Sequence, residues 1–143
     1  MIAIIDYGAG NIFSVKNALD YLGVENKLTA DKNEICAADE IILPGVGAFP
    51  WAMKMLRDSG LVDTIREEAR KKPFLGICLG MQLIFDKGYE FEETDGLRLI
   101  GGKVEKIDRK DMIIPHMGWN ELEINRDLSL IHISEPTRLR RIS

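Results

Sequence analysis

The 143-residue sequence predicts an α/β fold, with a mostly parallel sheet and flanking helices. Three apolar runs, Ile2–Ile5, Ile41–Leu43 and Phe74–Ile77, have the near-continuous hydrophobicity of strands covered on both faces. Each ends in a glycine-bearing turn: Tyr7–Asn11, Pro44–Phe49 and Gly76–Gly80. Helix-patterned residues follow these turns, so the chain reads as repeated strand–turn–helix units.

The first unit opens with Ile2-Ala3-Ile4-Ile5-Asp6, which suits a central parallel strand. Tyr7-Gly8-Ala9-Gly10-Asn11 interrupts it. A helix follows, with Ile12, Val15, Leu19 and Leu22 on one face and Gly23 as its stop. The Gly8-x-Gly10 pair is not a dinucleotide fingerprint, because Phe13 stands where a third glycine belongs. A plain tight turn fits it better than a phosphate site. The second strand, Ile41-Ile42-Leu43, runs into Pro44-Gly45-Val46-Gly47-Ala48-Phe49. Two glycines around one valine leave this backbone free to aim N–H groups at a ligand, as in an oxyanion hole; an ordinary loop after a strand is the alternative. Helical stretches at Trp51–Asp58 and Leu61–Lys71 return the chain to the Phe74 strand. Beyond residue 100 the pattern changes to apolar–polar alternation, at Lys103–Ile107 and Glu121–Ile124, as in half-exposed strands. Between them lies Met112–Asn120, whose Trp119 suits either a protein contact or a core position, with the core slightly favoured.

Cys78 carries the most chemistry. It falls where the Phe74–Ile77 strand turns into a helix marked by Leu79, Leu83 and Ile84, with Gly76 and Gly80 on either side. This is the spacing of a nucleophile elbow, with sulfur in place of a serine oxygen. The glycines suit a turn in which a side chain would collide with the opposing backbone. The helix N-terminus favours an anion such as a thiolate. A buried core cysteine is the competing interpretation.

Composition bounds the rest. Hydrophobic residues make up 45% and charged residues 29%, as in a soluble globular domain large enough for a real core. A net charge of −4 gives no support to nucleic-acid binding. Arg66-Glu67-Glu68 and Arg70-Lys71-Lys72 read as solvated helix faces. Nothing resembles a signal peptide or a membrane-spanning run, so no membrane association is expected. Two cysteines are too few for a disulfide scaffold, which fits a reducing, cytoplasmic compartment, and Cys36 reads as structural.

Taken together, Ile5–Asn11, Leu43–Phe49, Gly76–Gln82 and Pro115–Asn120 resemble, in the same order, the glutamine amidotransferase subunits of imidazole glycerol phosphate synthase. These form a branch of the class I (triad) amidotransferases, which act in histidine biosynthesis. The resemblance covers residues 1 to about 127. The Cys78 segment alone indicates class I; Pro44–Gly47 and Pro115–Asn120 point to the histidine-pathway branch. The resemblance implies a flavodoxin-like fold, and a Cys78 that attacks the side-chain amide of L-glutamine, forming a glutamyl thioester and releasing ammonia. Val46 and Leu79 match the backbone donors to the oxyanion, and Gly47 and Gln82 match positions that hold the substrate. Asn11, Met117, Trp119 and Asn120 match the face that meets the cyclase subunit, a (β/α)8 barrel that would consume the ammonia as the other half of a heterodimer. No metal and no organic cofactor belongs to this half of the reaction. Another class I amidotransferase, a cysteine hydrolase of the same fold, or a non-enzymatic flavodoxin-like module are the rival readings.

The sequence departs from the family in one respect. The family's base and orienting carboxylate come from a His-Pro-Glu motif that this sequence does not contain; its only histidines are His116 and His132. His116 lies within the interface segment. His132 precedes Glu135, but Leu128–Arg138 resembles the translation of a transposon-end adapter used in DNA library preparation. The expectation is therefore an amidotransferase domain over 1–127 that is incomplete at its C-terminal side, a non-native tail over 128–143, and a chain inactive as written.

Overall fold

A computed structural model of the chain describes residues 1–107, 118–120 and 140–142. The chain divides into two compact units, Met1–Lys106 and Ile107–Ser143.

The first unit is built on four parallel strands, β1 (Ile2–Ile5), β2 (Asn26–Thr29), β3 (Glu40–Gly45) and β4 (Phe74–Cys78), in the order β2-β1-β3-β4. This is the flavodoxin-like strand order, with β1 and β3 adjacent at its switch point. Helices α1 (Ile12–Tyr21), α2 (Lys32–Ala37), α3 (Phe49–Asp58), α4 (Val62–Glu68) and α5 (Leu79–Leu83) connect and cover these strands. A smaller sheet follows, β5 (Phe85–Gly88), β6 (Thr94–Asp95) and β7 (Ile100–Val104), in the order β6-β5-β7. In the second unit, β8 (Gly118–Asn120) pairs antiparallel with β9 (Arg140–Ile142), with Trp119 opposite Arg141.

The core lies on one face of the parallel sheet. Ile5, Ile41 and Leu43 pack there with Ile35 of α2, Phe49, Met53 and Leu56 of α3, Ile65 of α4, and Leu79 and Leu83 of α5. Burying each large side chain of this kind is worth about 1.5–3 kcal/mol, so this face dominates stability. Alternation along the strands sends Ile4, Ile42 and Leu75 to the opposite face. Ile4 and Ile42 are buried, whereas Leu75 is 45% exposed. The helix read from Ile12, Val15, Leu19 and Leu22 is present as α1, and Gly23 follows its cap at φ 68°. None of its residues is fully buried, so its apolar face is only half covered.

Several boundaries differ from the sequence reading. Strand β3 continues through Pro44 and Gly45, which pair with Ile77 and Cys78 of β4. Its register with β1 ends at Ile42, so Pro44, which lacks an N–H, lies past that ladder. Helix α3 begins at Phe49 with Pro50 in its first turn, where a missing N–H does no harm. Helix α4 ends at Glu68, and turn residues follow. The strand expected over Lys103–Ile107 is instead β7, Ile100–Val104. Glu121–Ile124 lies outside the described residues. Cys36 is exposed near the end of α2, beside the buried Ile35, so its side chain does not have the structural role the sequence reading expected.

Candidate active site

Cys78 is the last residue of β4 and immediately precedes α5. Its backbone sits at φ 55° and ψ −117°, a region non-glycine residues rarely occupy. The strain follows from the tightness of the turn. A methyl group on Gly76 would lie 2.6 Å from the Cα of Met81, and one on Gly80 would overlap the carbonyl oxygen of Leu43. Only hydrogen fits at either position, so the two glycines let α5 start against the ends of β3 and β4. The thiol is exposed, which removes the core-cysteine interpretation.

Across the ladder, Gly45 is the register partner of Cys78. The chain then leaves β3 as the Val46–Gly47 loop, with Val46 48% exposed and Gly47 at φ 94°. Val46, Gly47, Cys78, Leu79 and Gln82 line one cleft of about 650 Å³, which brings all the candidate nucleophile, oxyanion and substrate residues together. Leu79 is itself buried, so only its backbone N–H is suited to face the cleft, at the start of α5.

The rest of the cleft's lining comes from residues the sequence reading missed: Tyr89, Glu90 and Phe91 after β5, and Val104, Glu105 and Lys106 at the end of β7. Phe91 is 89% exposed and sits at φ 65°. Glu90 reaches back to accept the Phe49 backbone N–H at 2.8 Å. It thereby satisfies the N-terminus of α3, where Ala48 has no capping side chain. The one sequence signal was the polar-aromatic run Tyr89-Glu90-Phe91-Glu92-Glu93, which carries no spacing rule of its own.

Asn11 does not line this cleft. It caps α1, its side chain accepting the Ser14 N–H at 3.4 Å. Gly8 and Gly10 adopt φ 85° and 121°, a turn only glycine makes easily, in keeping with the plain tight turn read from the sequence. Trp119 and Asn120 lie on β8; Met117, His116 and His132 lie outside the described residues. A second, more open groove of about 1000 Å³ includes Trp51, Arg57, Arg66 and Arg98. Its charges are largely engaged, Arg98 with Asp95 at 3.0 Å and Arg66 with the Leu97 carbonyl at 2.9 Å, and it holds no nucleophile. Among the described residues no three His, Cys, Asp or Glu side chains are grouped as metal ligands. Nor is any helix among them long and apolar enough to cross a membrane.

Residues 3–136 match the profile of the family described as glutamine amidotransferase class-I. The chain belongs to the class-I glutamine amidotransferase family. This amidotransferase chain is 51% identical over 132 residues to the imidazole glycerol phosphate synthase subunit HisH of Listeria monocytogenes serotype 4b (strain F2365), covering 91% of the chain and 64% of the relative. It is 52% identical over 131 residues to the subunit of the same name from Bacillus thuringiensis (strain Al Hakam), covering 91% and 62%. The chain thus spans less than two thirds of the length of these relatives. Among solved structures, one titled as a glutamine amidotransferase superposes with a TM-score of 0.65 at 22% identity, over 84% of this chain and 63% of that one. A putative peptidase E from Listeria monocytogenes EGD-e superposes at 0.56 and 18% identity, over 69% and 62%. At these identities both speak to the fold, which is that of the class-I amidotransferases.

Proposed function

We propose that this chain carries the glutaminase chemistry of an imidazole glycerol phosphate synthase subunit. Cys78 attacks the side-chain amide carbon of L-glutamine. The resulting oxyanion is held by the backbone N–H groups of Val46 and Leu79. Gln82 and Gly47 orient the substrate, whose ammonium and carboxylate groups find charges of both signs at Glu90, Glu105 and Lys106 in the same cleft. The C–N bond breaks, ammonia leaves, and water releases glutamate from the thioester. The ammonia passes to a (β/α)8 cyclase subunit, for whose contact Asn11, Met117, Trp119 and Asn120 are the candidates by their match to the family's interface positions. An exposed catalytic thiol suits a reducing, cytoplasmic setting.

The observation that carries this reading is the strained, exposed Cys78 sharing one cleft with the Val46–Gly47 loop. Identity of 51% to subunits bearing that name supports the choice of branch. Both histidines of the sequence lie outside the described residues. On this reading the base and its orienting carboxylate come from a His-Pro-Glu segment that the sequence does not contain, and the residues after Asp127 are a non-native tail into whose first part, as far as residue 136, the family match runs on. Sequencing the native locus past Asp127 tests that boundary.

The function is tested by glutamate release in the presence of the cyclase. The chain with a His-Pro-Glu-bearing C-terminal segment from a relative should hydrolyse glutamine, and Cys78→Ala should abolish this while ammonia-dependent synthesis persists. The chain as written should stay at background. Glutamine hydrolysis surviving in Cys78→Ala would remove Cys78 from the role of nucleophile.

A further inference from the structure

The turn after β1 does more than reverse the chain, because it presses on the root of the Val46–Gly47 loop. Tyr7 is buried, and its hydroxyl donates to the Pro44 carbonyl at 3.0 Å. A methyl group on Gly45 would lie 3.0 Å from that same hydroxyl oxygen and 2.6 Å from the Gly80 nitrogen. One on Gly10 would lie 3.3 Å from the Pro44 Cβ and 3.4 Å from the Gly45 nitrogen. The Pro44–Gly45 peptide is therefore held between the first turn of the fold and the start of α5. Among the hydrogen bonds of the described residues, the Tyr7 hydroxyl makes this one alone.

We infer that Tyr7 is a positioning residue: its hydroxyl fixes the Pro44–Gly45 peptide plane and so sets the direction in which the next residues, Val46 and Gly47, present their N–H groups to Cys78. The inference deepens the glutaminase reading and rests on it. Burial pushes the Tyr7 hydroxyl up to about 12, so it keeps its proton and donates throughout the neutral range. The alternative role, a hydroxyl that merely fills the core, makes no link to the oxyanion loop.

The test uses the chain as it stands and two electrophiles. A γ-glutamyl thioester acylates Cys78 through a tetrahedral oxyanion: the Cys78 sulfur bonds to the carbonyl carbon, the original C–S bond breaks, and the leaving thiolate departs with its electron pair without needing a proton. Iodoacetamide alkylates Cys78 by displacing iodide and forms no oxyanion. Losing one oxyanion donor costs about 10²–10³ in rate, so a misaimed loop in Tyr7→Phe should slow acylation by at least about tenfold. Alkylation should stay within about twofold, and hydrogen exchange at the Val46 and Gly47 amides should quicken. Unchanged acylation and exchange in Tyr7→Phe, or acylation and alkylation falling together, would overturn the role assigned to Tyr7. Failure of the glutaminase reading shows itself separately, as an unmutated chain that releases no glutamate even when it carries the His-Pro-Glu segment; amide exchange at Val46 and Gly47 then still decides for or against Tyr7.

Discussion

The Glu90 carboxylate accepts the Phe49 backbone N–H at 2.8 Å, across 41 residues of chain. The contact ties the wall of the Cys78 cleft to the N-terminus of α3, the helix that begins as the Val46–Gly47 loop ends. A helix N-terminus with no local cap has borrowed one from a distant loop.

Glu90→Ala should therefore lower unfolding free energy by about 1 kcal/mol, the usual worth of an N-terminal cap. Glu90→Gln keeps an acceptor oxygen and should recover most of that loss. Urea denaturation of the three proteins checks this; an alanine variant as stable as the parent would show that the contact contributes nothing.

Gly80→Ala should be severe. The added methyl overlaps the Leu43 carbonyl, a backbone atom in a central strand with no freedom to rotate away. We expect a loss of about 3 kcal/mol or more, together with displacement of Cys78. Thermal unfolding measures the first and the rate of Cys78 alkylation the second. Gly23→Ala offers the contrast, because a methyl there meets nothing within 4 Å and only the positive φ opposes it.

Acid should weaken the first unit through Glu68. This buried carboxylate pairs with Lys72 at 2.8 Å and Lys71 at 2.9 Å, and those partners, Lys72 foremost, hold it below its usual value of 4.5. Because the folded-state value is depressed, the stabilisation is fully present above about pH 4.5, the unfolded value, and is lost as pH falls through the folded one. Lys72 also donates to the carbonyls of Ile35, Cys36 and Ala38, so the pair secures the end of α2. Glu68→Gln should lower the melting temperature at pH 7 and flatten its fall below pH 4.5. A parallel pH profile in the two proteins would exclude Glu68 as a source of acid sensitivity.

Trp119→Ala tests the proposed cyclase face. Binding to the cyclase should weaken by about 2 kcal/mol or more, as for an aromatic hot spot. Calorimetric titration reads the affinity. An unchanged affinity accompanied by severe unfolding would return Trp119 to the core, the reading its sequence setting slightly favours.

Much of this protein is written locally. The apolar runs of β1, β3 and β4 and the Gly76-x-Cys78-x-Gly80 spacing are short-range signals, because strand burial and turn sterics depend on neighbours in the chain. The nucleophile elbow could be read from them for the same reason. The β2–α2 unit carries a local signal of the same kind: Asp31 caps α2 by accepting the Asn33 and Glu34 N–H groups at 2.7 and 3.3 Å. Other features were decided by tertiary structure alone. That Cys78 is exposed, that Glu90 caps α3, that Tyr7 grips Pro44 and that α1 stays half covered all depend on which distant segments meet. Such meetings follow from strand order and register, in which the chain closes long loops before any contact forms, and no window of neighbouring residues encodes them.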